Sequence, residues 1–206
     1  MSRLSNLRTI ALSVLVFGAL TACVPTVSGD STERRGFLSG LERPERDNAN
    51  LLRQRKLADG AVIVKAPKHY CVDPAVIGTA HFALIAECGT LQGAPAQHPQ
   101  DRGILTVSIS SPLTEGSLPR DLGAALGEGQ RFDSRINGLT VKRITDARAQ
   151  TLAGADPTHW RGALLLNERL VTFAVYGPEN GAVLGDAGRV LLEELARNTQ
   201  RSSRLR

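Results

Sequence analysis

Two apolar segments separated by only two residues constrain the fold of this chain most strongly. Residues 160–166 and 169–176 are rich in β-branched, aromatic and leucine side chains, and Asn167-Glu168 lies between them. A two-residue connection is typical of a β-hairpin, and Asn tolerates the positive φ that such a turn requires. We therefore predict an antiparallel hairpin, with Trp160 and Tyr176 at its ends.

One face of this hairpin is predicted to join the core. Alternate apolar residues of the second strand would point inward, with Trp160 and either Leu164 or Leu166 as cross-strand partners; they are Val171, Phe173 and Val175. The rings of Trp160 and Tyr176 either close the core or offer a contact surface. If the hairpin lies at a sheet edge, it would accept a strand from a partner.

The other apolar segments favour strands over helices. Apolar and hydroxyl side chains alternate over residues 105–110, the period of a strand with one buried face. Shorter strands are predicted over 61–64, 82–86 and 138–144, and a short helix over 119–126. A terminal helix over 185–198 has apolar residues at helical spacing, namely Leu184, Ala187, Leu191 and Leu195. This order predicts a single α+β domain with a mainly antiparallel sheet and a packed C-terminal helix.

The first residues of the chain have the composition of an export signal. Arg3 and Arg8 make the start positive, and residues 10–20 form an apolar run. A membrane-spanning helix needs about 20 apolar residues, so this run is too short for a permanent helical anchor. An uncleaved anchor remains one alternative.

The segment Leu20-Thr21-Ala22-Cys23 resembles the lipobox of bacterial lipoprotein signal peptides. An ordinary cleavage site requires a small residue where Leu20 stands, whereas a lipobox has an aliphatic residue there, then small residues and Cys. The resemblance implies removal of residues 1–22, a diacylglyceryl group on Cys23 and further acylation of the new amine. Two acyl chains suffice for stable membrane anchoring. The alternative is a secreted protein with a chance Cys.

Cysteine usage indicates one disulfide. If lipid modifies Cys23, then Cys71 and Cys88 remain as a pair. Their spacing is too long for a redox C-x-x-C, and no Cys or His cluster has zinc spacing. We expect a structural bridge in an oxidising periplasm, which stabilises the fold by about 3 kcal/mol. Two buried free thiols are the alternative.

Composition divides the rest of the chain into three parts. Residues 23–57 are poor in aromatics and rich in Ser, Glu, Arg and Asn, which predicts a lipidated Cys followed by a flexible tether, with a short polar helix possible over 45–57. The α+β domain is predicted over 58–198, long enough for one core. Residues 199–206 are predicted to be a basic C-terminal tail that frays or touches anionic lipid.

Several of these features together resemble uncharacterised envelope lipoproteins of alphaproteobacteria. They are the lipobox, Tyr70-Cys71-Val72-Asp73-Pro74 with Cys88, the hairpin and the terminal helix. The resemblance implies a disulfide-bonded exported domain and supplies no activity for any residue. Val24 stands where, in known sorting systems, an Asp retains lipoproteins in the inner membrane. It therefore implies delivery to the outer membrane.

Charge and motif content exclude several function classes. The net charge of the chain is +5 and falls to +3 without residues 1–22. Positive and negative side chains are interspersed along the chain, as over residues 42–47. This pattern is typical of a solvated face, so we expect no nucleic-acid partner. The glycine-rich residues 123–129 lack the Lys-Ser or Lys-Thr of a phosphate-binding loop, and no G-x-S-x-G occurs.

The histidines give no metal signature. No two of them have i, i+4 spacing or a neighbouring Cys at ligand spacing; they are His69, His81, His98 and His159. We therefore expect no metal and no cofactor, and we assign no catalytic residue.

One bolder hypothesis groups three polar residues near the expected disulfide. Asp73, His81 and Glu87 would form an acid and base poised for hydrolysis. The simpler interpretation of Asp73-Pro74 is a turn.

The sequence therefore predicts a lipid-anchored envelope protein, a structural or interaction module in the periplasm that recognises an envelope component through its sheet. The alternative is a small periplasmic hydrolase on the same anchor. A concave site with a His and a carboxylate within hydrogen-bonding reach would favour the hydrolase. A flat sheet or an exposed edge would favour the interaction module.

Overall fold

A computed structural model of the chain describes residues 51–76, 80–94, 102–114, 117, 119, 121–151 and 154–204. The predicted signal peptide, Cys23, most of the predicted tether and His98 lie outside these residues. Among the helices of the described residues, none is long and apolar enough to cross a membrane.

The described residues form nine strands and two α-helices. The strands are β1 (Gln54–Leu57), β2 (Val62–Lys65), β3 (Tyr70–Val72), β4 (Phe82–Glu87), β5 (Ile104–Ile109), β6 (Gln130–Phe132), β7 (Thr140–Thr145), β8 (Thr158–Leu166) and β9 (Arg169–Tyr176). The helices are α1 (Cys88–Leu91) and α2 (Asp186–Arg204). Strands β2, β4, β5 and β7 confirm the four strands predicted outside the hairpin.

Seven of the strands form one sheet in the order β3-β4-β5-β9-β8-β7-β6, and β1 pairs with β2 in a separate two-stranded sheet. All of these pairings are antiparallel. Helix α2 packs against β8 and β9 of the large sheet and against β2. The prediction of a single α+β domain with a mainly antiparallel sheet and a packed C-terminal helix is confirmed.

Strands β8 and β9 form the predicted hairpin. Their register places Trp160 opposite Val175 and Leu164 opposite Val171. Asn167 and Glu168 have φ values of 49° and 59°, as the central residues of a type I′ turn require. The hairpin lies in the middle of the sheet, because β9 also pairs with β5 and β8 with β7. The hairpin is therefore not a sheet edge, and the condition for its accepting a partner strand is not met.

The core lies on the sheet face that packs against α2, which we call the inner face. Val171, Phe173 and Val175 are each at most 1% exposed there, as predicted. The indole Nε1 of Trp160 donates a hydrogen bond to the carbonyl oxygen of Gly185 at 2.9 Å, and its ring meets Phe132 edge-on at 4.8 Å. Trp160 therefore closes the core.

The buried stripe of α2 differs from the predicted one. Leu184 and Leu195 are buried as predicted, but Ala187 is exposed and Leu191 is partly buried. Gly188 and Leu192 are buried instead, so the centre of the stripe is shifted by one residue, about 100° around the helix. A Cβ at Gly188 would collide with the backbone of Val183, so this glycine permits the close approach of the helix. Glycine contributes no apolar side chain, and the sequence pattern therefore missed it.

The C-terminal half of α2 is held by hydroxyl groups as well as by apolar contacts. Ser203 Oγ accepts a hydrogen bond from the backbone N–H of Ile63 at 2.9 Å. Thr199 Oγ1 accepts one from the backbone N–H of Lys65 at 3.5 Å. These contacts satisfy the free edge of β2 and bury both hydroxyl side chains. Residues 199–204, predicted as a basic tail, therefore belong to the helix.

The folded part also begins earlier than predicted. Strand β1 lies inside the segment 23–57 that was predicted as tether, and Leu57 is 2% exposed. The polar helix considered over 45–57 is wrong at residues 54–57, because these pair with β2. The pairing with β2 supplies hydrogen bonds that the local composition does not reveal.

A second, smaller apolar cluster covers part of the opposite face of the large sheet, which we call the outer face. Leu126, from a 3₁₀ turn at Ala124–Leu126, is buried against Ile144 and Ala163. The helix predicted over 119–126 is reduced to this turn in the described residues. Gly127 ends the turn with a φ of 89°, a left-handed conformation that favours glycine.

The predicted disulfide is present between Cys71 and Cys88, with 4.9 Å between their Cα atoms. It joins the edge strand β3 to the first residue of α1. The bridge thus fixes a sheet edge to the segment that leaves β4.

Candidate functional site

The outer face contains a concave region of about 490 Å³, which we call the outer-face groove. Its strand residues come from β4, β5, β8 and β9, and its rim comes from the turn that follows β7. The polar side chains that line it are Thr106, Ser108, Thr172, Tyr176, His159 and Arg161 from strands, and Asp146 and Arg148 from the turn.

The concavity follows from one small residue in a cross-strand row. Thr106 of β5 lies opposite Ala174 of β9, and Ala174 lies opposite Arg161 of β8. Residues in such a row share one face of the sheet. Because the Ala174 methyl group is short, the row leaves a depression between the threonine and the arginine.

The next row carries a stacked ring pair. The rings of His159 and Tyr176 lie 4.7 Å apart at an interplanar angle of 25°. His159 Nδ1 donates a hydrogen bond to the carbonyl oxygen of Pro157 at 3.0 Å, so Nε2 is the acceptor nitrogen. Burial lowers the pKa of His159, although the Pro157 contact opposes this shift. The imidazole is therefore neutral near pH 7.

Burial also keeps the phenol of Tyr176 protonated. Desolvation raises the pKa of Tyr176, while Arg161 and a hydrogen bond with Thr106 act in the opposite direction. The ring pair accordingly contributes no charge to the groove at neutral pH.

The carboxylate at the rim is engaged by its own turn. Asp146 Oδ1 accepts hydrogen bonds from the backbone N–H of Arg148 at 3.0 Å and from its Nε at 3.2 Å, and Oδ2 lies 3.1 Å from Nη2. These hydrogen bonds with Arg148 lower the pKa of Asp146, and the same contact raises the pKa of Arg148. The two side chains therefore form a charged pair with no net charge.

Arg161 is the contrasting cation. Its Nη1 donates to the carbonyl oxygen of Leu126 at 3.3 Å. Its Nε is buried and has no hydrogen-bond partner among the described residues. A buried guanidinium N–H without an acceptor carries a desolvation cost, which an acceptor on a bound molecule would remove.

The three residues of the bolder hypothesis do not come together. His81 precedes β4 and Glu87 ends it, about 20 Å apart along a six-residue strand. Glu87 lies 3.6 Å from Arg102, and Asp73 Oδ1 accepts a hydrogen bond from the Ala75 N–H at 2.8 Å. Asp73 therefore forms a turn, and the proposed acid and base near the disulfide are wrong.

The groove residues were not singled out in the sequence, except for His159 and Tyr176 as isolated candidates. The hairpin register contained the missing signal, because Arg161 shares a face with His159 and lies opposite Ala174. Within the described residues, no three His, Cys, Asp or Glu side chains are close enough to hold a metal ion.

Known proteins offer few similarities to this chain. No family model matches the chain, and no curated protein matches it. Among solved structures, a point mutant of Protein Mog1 aligns with a TM-score of 0.41 and 12% sequence identity, covering 70% of this chain and 92% of that chain.

Proposed function

We propose that this chain is a lipid-anchored interaction module of the bacterial cell envelope, with lipid on Cys23 and a domain that binds an envelope protein in the outer-face groove. The leader and lipobox support the anchor. The Cys71–Cys88 bridge supports an oxidising compartment such as the periplasm. Val24 behind the lipidated Cys favours the outer membrane.

The contacts of His159 and Asp146 in the groove support binding rather than hydrolysis. His159 is held by the Pro157 carbonyl and by Tyr176, while Asp146 is tied to Arg148. Among the described residues, no hydrogen bond joins His159 to Asp146 or to a hydroxyl group, so no base and nucleophile are paired. A concave wall of hydroxyl groups, rings and one arginine is suited to contact.

Site-specific crosslinking in the native cells tests the binding surface. A photoreactive residue at Ser108, which is exposed in the groove, should give a discrete adduct with an envelope protein. The same residue at Val190, which is 59% exposed on α2, is the matched control and should give none. The adduct should also disappear when Ala174→Leu fills the groove. Equal adducts from both positions, or none from Ser108, would refute binding at the groove.

Intact mass tests the anchor separately. Protein extracted from its native membrane should begin at Cys23 and carry the added mass of acyl chains. Cys23→Ser should abolish this mass and release the protein from the membrane. An unlipidated wild-type mass would remove the anchor from the proposal and leave the groove unaffected.

A further inference from the structure

We propose that the outer-face groove is a site for a peptide carboxylate, with Arg161 as the cation that anchors it. This inference rests on the proposed function, since it names the chemistry of the partner at the same groove. The occupant is an Asp or Glu side chain of the partner protein.

The first argument is the charge of the groove. Asp146 and Arg148 neutralise each other through three contacts of 3.0–3.2 Å. His159 and Tyr176 form a neutral ring pair. Among the described residues, no carboxylate forms a salt bridge with Arg161, so this residue leaves one positive charge in the groove. A single negative charge on the ligand would balance it.

The second argument is the unused hydrogen-bonding capacity of Arg161. Only Nη1 has a protein acceptor, the carbonyl oxygen of Leu126, and the buried Nε–H has none within the described residues. Guanidinium groups bind carboxylates through pairs of N–H donors, and such charge-assisted hydrogen bonds are stronger than neutral ones. A carboxylate bound at the guanidinium group would supply an acceptor for its unused N–H donors.

The third argument concerns what else the occupant must present. Thr106 on β5 and Thr172 on β9 line the floor next to Ala174, and Ser108 is exposed beside them. Hydroxyl groups both donate and accept hydrogen bonds, which suits the N–H and C=O groups of a peptide. A doubly charged phosphate would bring more negative charge than the single positive charge of Arg161 balances. The groove therefore fits an acidic peptide better than a phosphorylated ligand.

Solution NMR tests this inference with defined probes. The chain from residue 23, carrying Cys23→Ser and an intact disulfide, would be labelled with ¹⁵N and titrated with a blocked diglutamyl peptide. The Arg161 Nε–H resonance should shift saturably. The matched diglutaminyl peptide, which differs only in charge, should cause no shift. Acetate, as a carboxylate without a peptide, should bind more weakly than the diglutamyl peptide, and inorganic phosphate should compete poorly.

Variants assign the effect to the groove. Arg161→Gln should weaken binding of the diglutamyl peptide by at least about tenfold, because hydrogen bonds to charged groups are strong. Arg143→Gln makes the same change on β7, where Arg143 is exposed and lies outside the outer-face groove, and should leave affinity unchanged. Ala174→Leu should abolish binding. If a groove variant fails to fold, the contrast between the two peptides on the unaltered groove still decides.

The outcomes separate this inference from the proposed function. Equal affinity for both peptides, stronger binding of phosphate, or no binding of any probe would overturn the carboxylate site. Acetate binding as tightly as the diglutamyl peptide would replace the peptide with a free organic acid as the occupant and overturn the peptide assignment. A Ser108 adduct in cells together with any of these results would leave the groove as an interface and remove only the role of Arg161. A shift of the Arg161 resonance without a Ser108 adduct would support the carboxylate site and refute the groove as an interface in cells.

Discussion

The two faces of the large sheet are built from the same strands but have opposite chemistry. On β9, Val171, Phe173 and Val175 point to the inner face, while Thr172 and Ala174 point to the outer face. The inner residues pack against α2 and β2 in one continuous core. The outer residues line a groove of hydroxyl groups, rings and an arginine.

On β9, this difference separates the residues that stabilise the core from those of the proposed binding groove by one residue of register. Since successive side chains of a strand alternate between faces, neighbouring positions of β9 test different properties. Changes on the inner face should alter the free energy of unfolding, and changes in the groove should alter binding.

The largest effect is expected for Phe173→Ala. Phe173 is 1% exposed, and its removal should lower the free energy of unfolding by about 3–5 kcal/mol through lost burial and a new cavity. Thr172→Ala, one residue away on the outer face, should change it by no more than about 0.5 kcal/mol. Urea denaturation of both variants measures the contrast. Similar losses for the two would mean that the groove side also carries the fold.

Removal of the disulfide should cause the next largest loss of stability. The bridge lies on the outer face, away from the main core. Cys71 lies opposite Ala86, on the outer face of the edge strands. With a sequence separation of 17, the bridge should contribute about 3 kcal/mol by restricting the unfolded chain. The double variant Cys71→Ala/Cys88→Ala should melt at a lower temperature than the oxidised wild type. Reduced wild type is the matched control and should approach the variant, whereas unchanged melting would contradict a stabilising bridge.

Acid should destabilise the fold through His159. Burial lowers its pKa in the folded state, so the unfolded chain binds more protons as pH falls below the ordinary value of about 6.5. The stabilisation that depends on a neutral His159 ring is therefore fully present above that pH. It is lost as the pH falls toward the pKa of His159 in the folded protein. One proton gives a slope of at most about 1.4 kcal/mol per pH unit.

Unfolding measurements between about pH 7.5 and pH 5 check this slope. His159→Gln should flatten it, because the glutamine side chain does not titrate. His81→Gln changes an exposed histidine and should leave the slope as in the wild type. If both variants retain the wild-type slope, another group controls the acid sensitivity.

Sequence patterns predicted the parts of the fold that follow local rules. The alternation over residues 105–110 and the hairpin around Asn167 were sufficient for β5, β8 and β9, because period and turn chemistry are encoded in neighbouring residues. They were not sufficient for β1, whose residues Gln54, Arg55 and Lys56 have no apolar period. That strand is defined by its pairing with β2 and by burial of Leu57, both of which are tertiary.

The candidate site was harder to predict because it is assembled from four strands and a turn. No segment of sequence holds more than two of its polar strand residues, as β8 does with His159 and Arg161. The positions of β5 relative to β9 were needed to bring Thr106 beside Ala174. Asp73, which is conspicuous in the sequence, accepts a hydrogen bond in a turn and lies outside the groove.

The smallest expected effect concerns the hairpin turn, which belongs to neither face. Glu168 has a φ of 59°, a left-handed conformation that costs a side chain free energy and costs glycine little. Glu168→Gly should therefore stabilise the protein by about 0.5–1 kcal/mol, as the preference for Asn-Gly in type I′ turns indicates.

The same turn supplies the control. Asn167 also has a positive φ, but its Nδ2 donates a hydrogen bond to the carbonyl oxygen of Ala61 at 2.7 Å. Asn167→Gly relieves the backbone and loses this contact, so it should give no gain. Thermal unfolding of the two variants, with peptide affinity measured in parallel, should show a rise only for Glu168→Gly and no change in binding for either. A loss of affinity in Glu168→Gly would mean that the turn is coupled to the groove, and the separation of the two faces would then fail at the point where they meet.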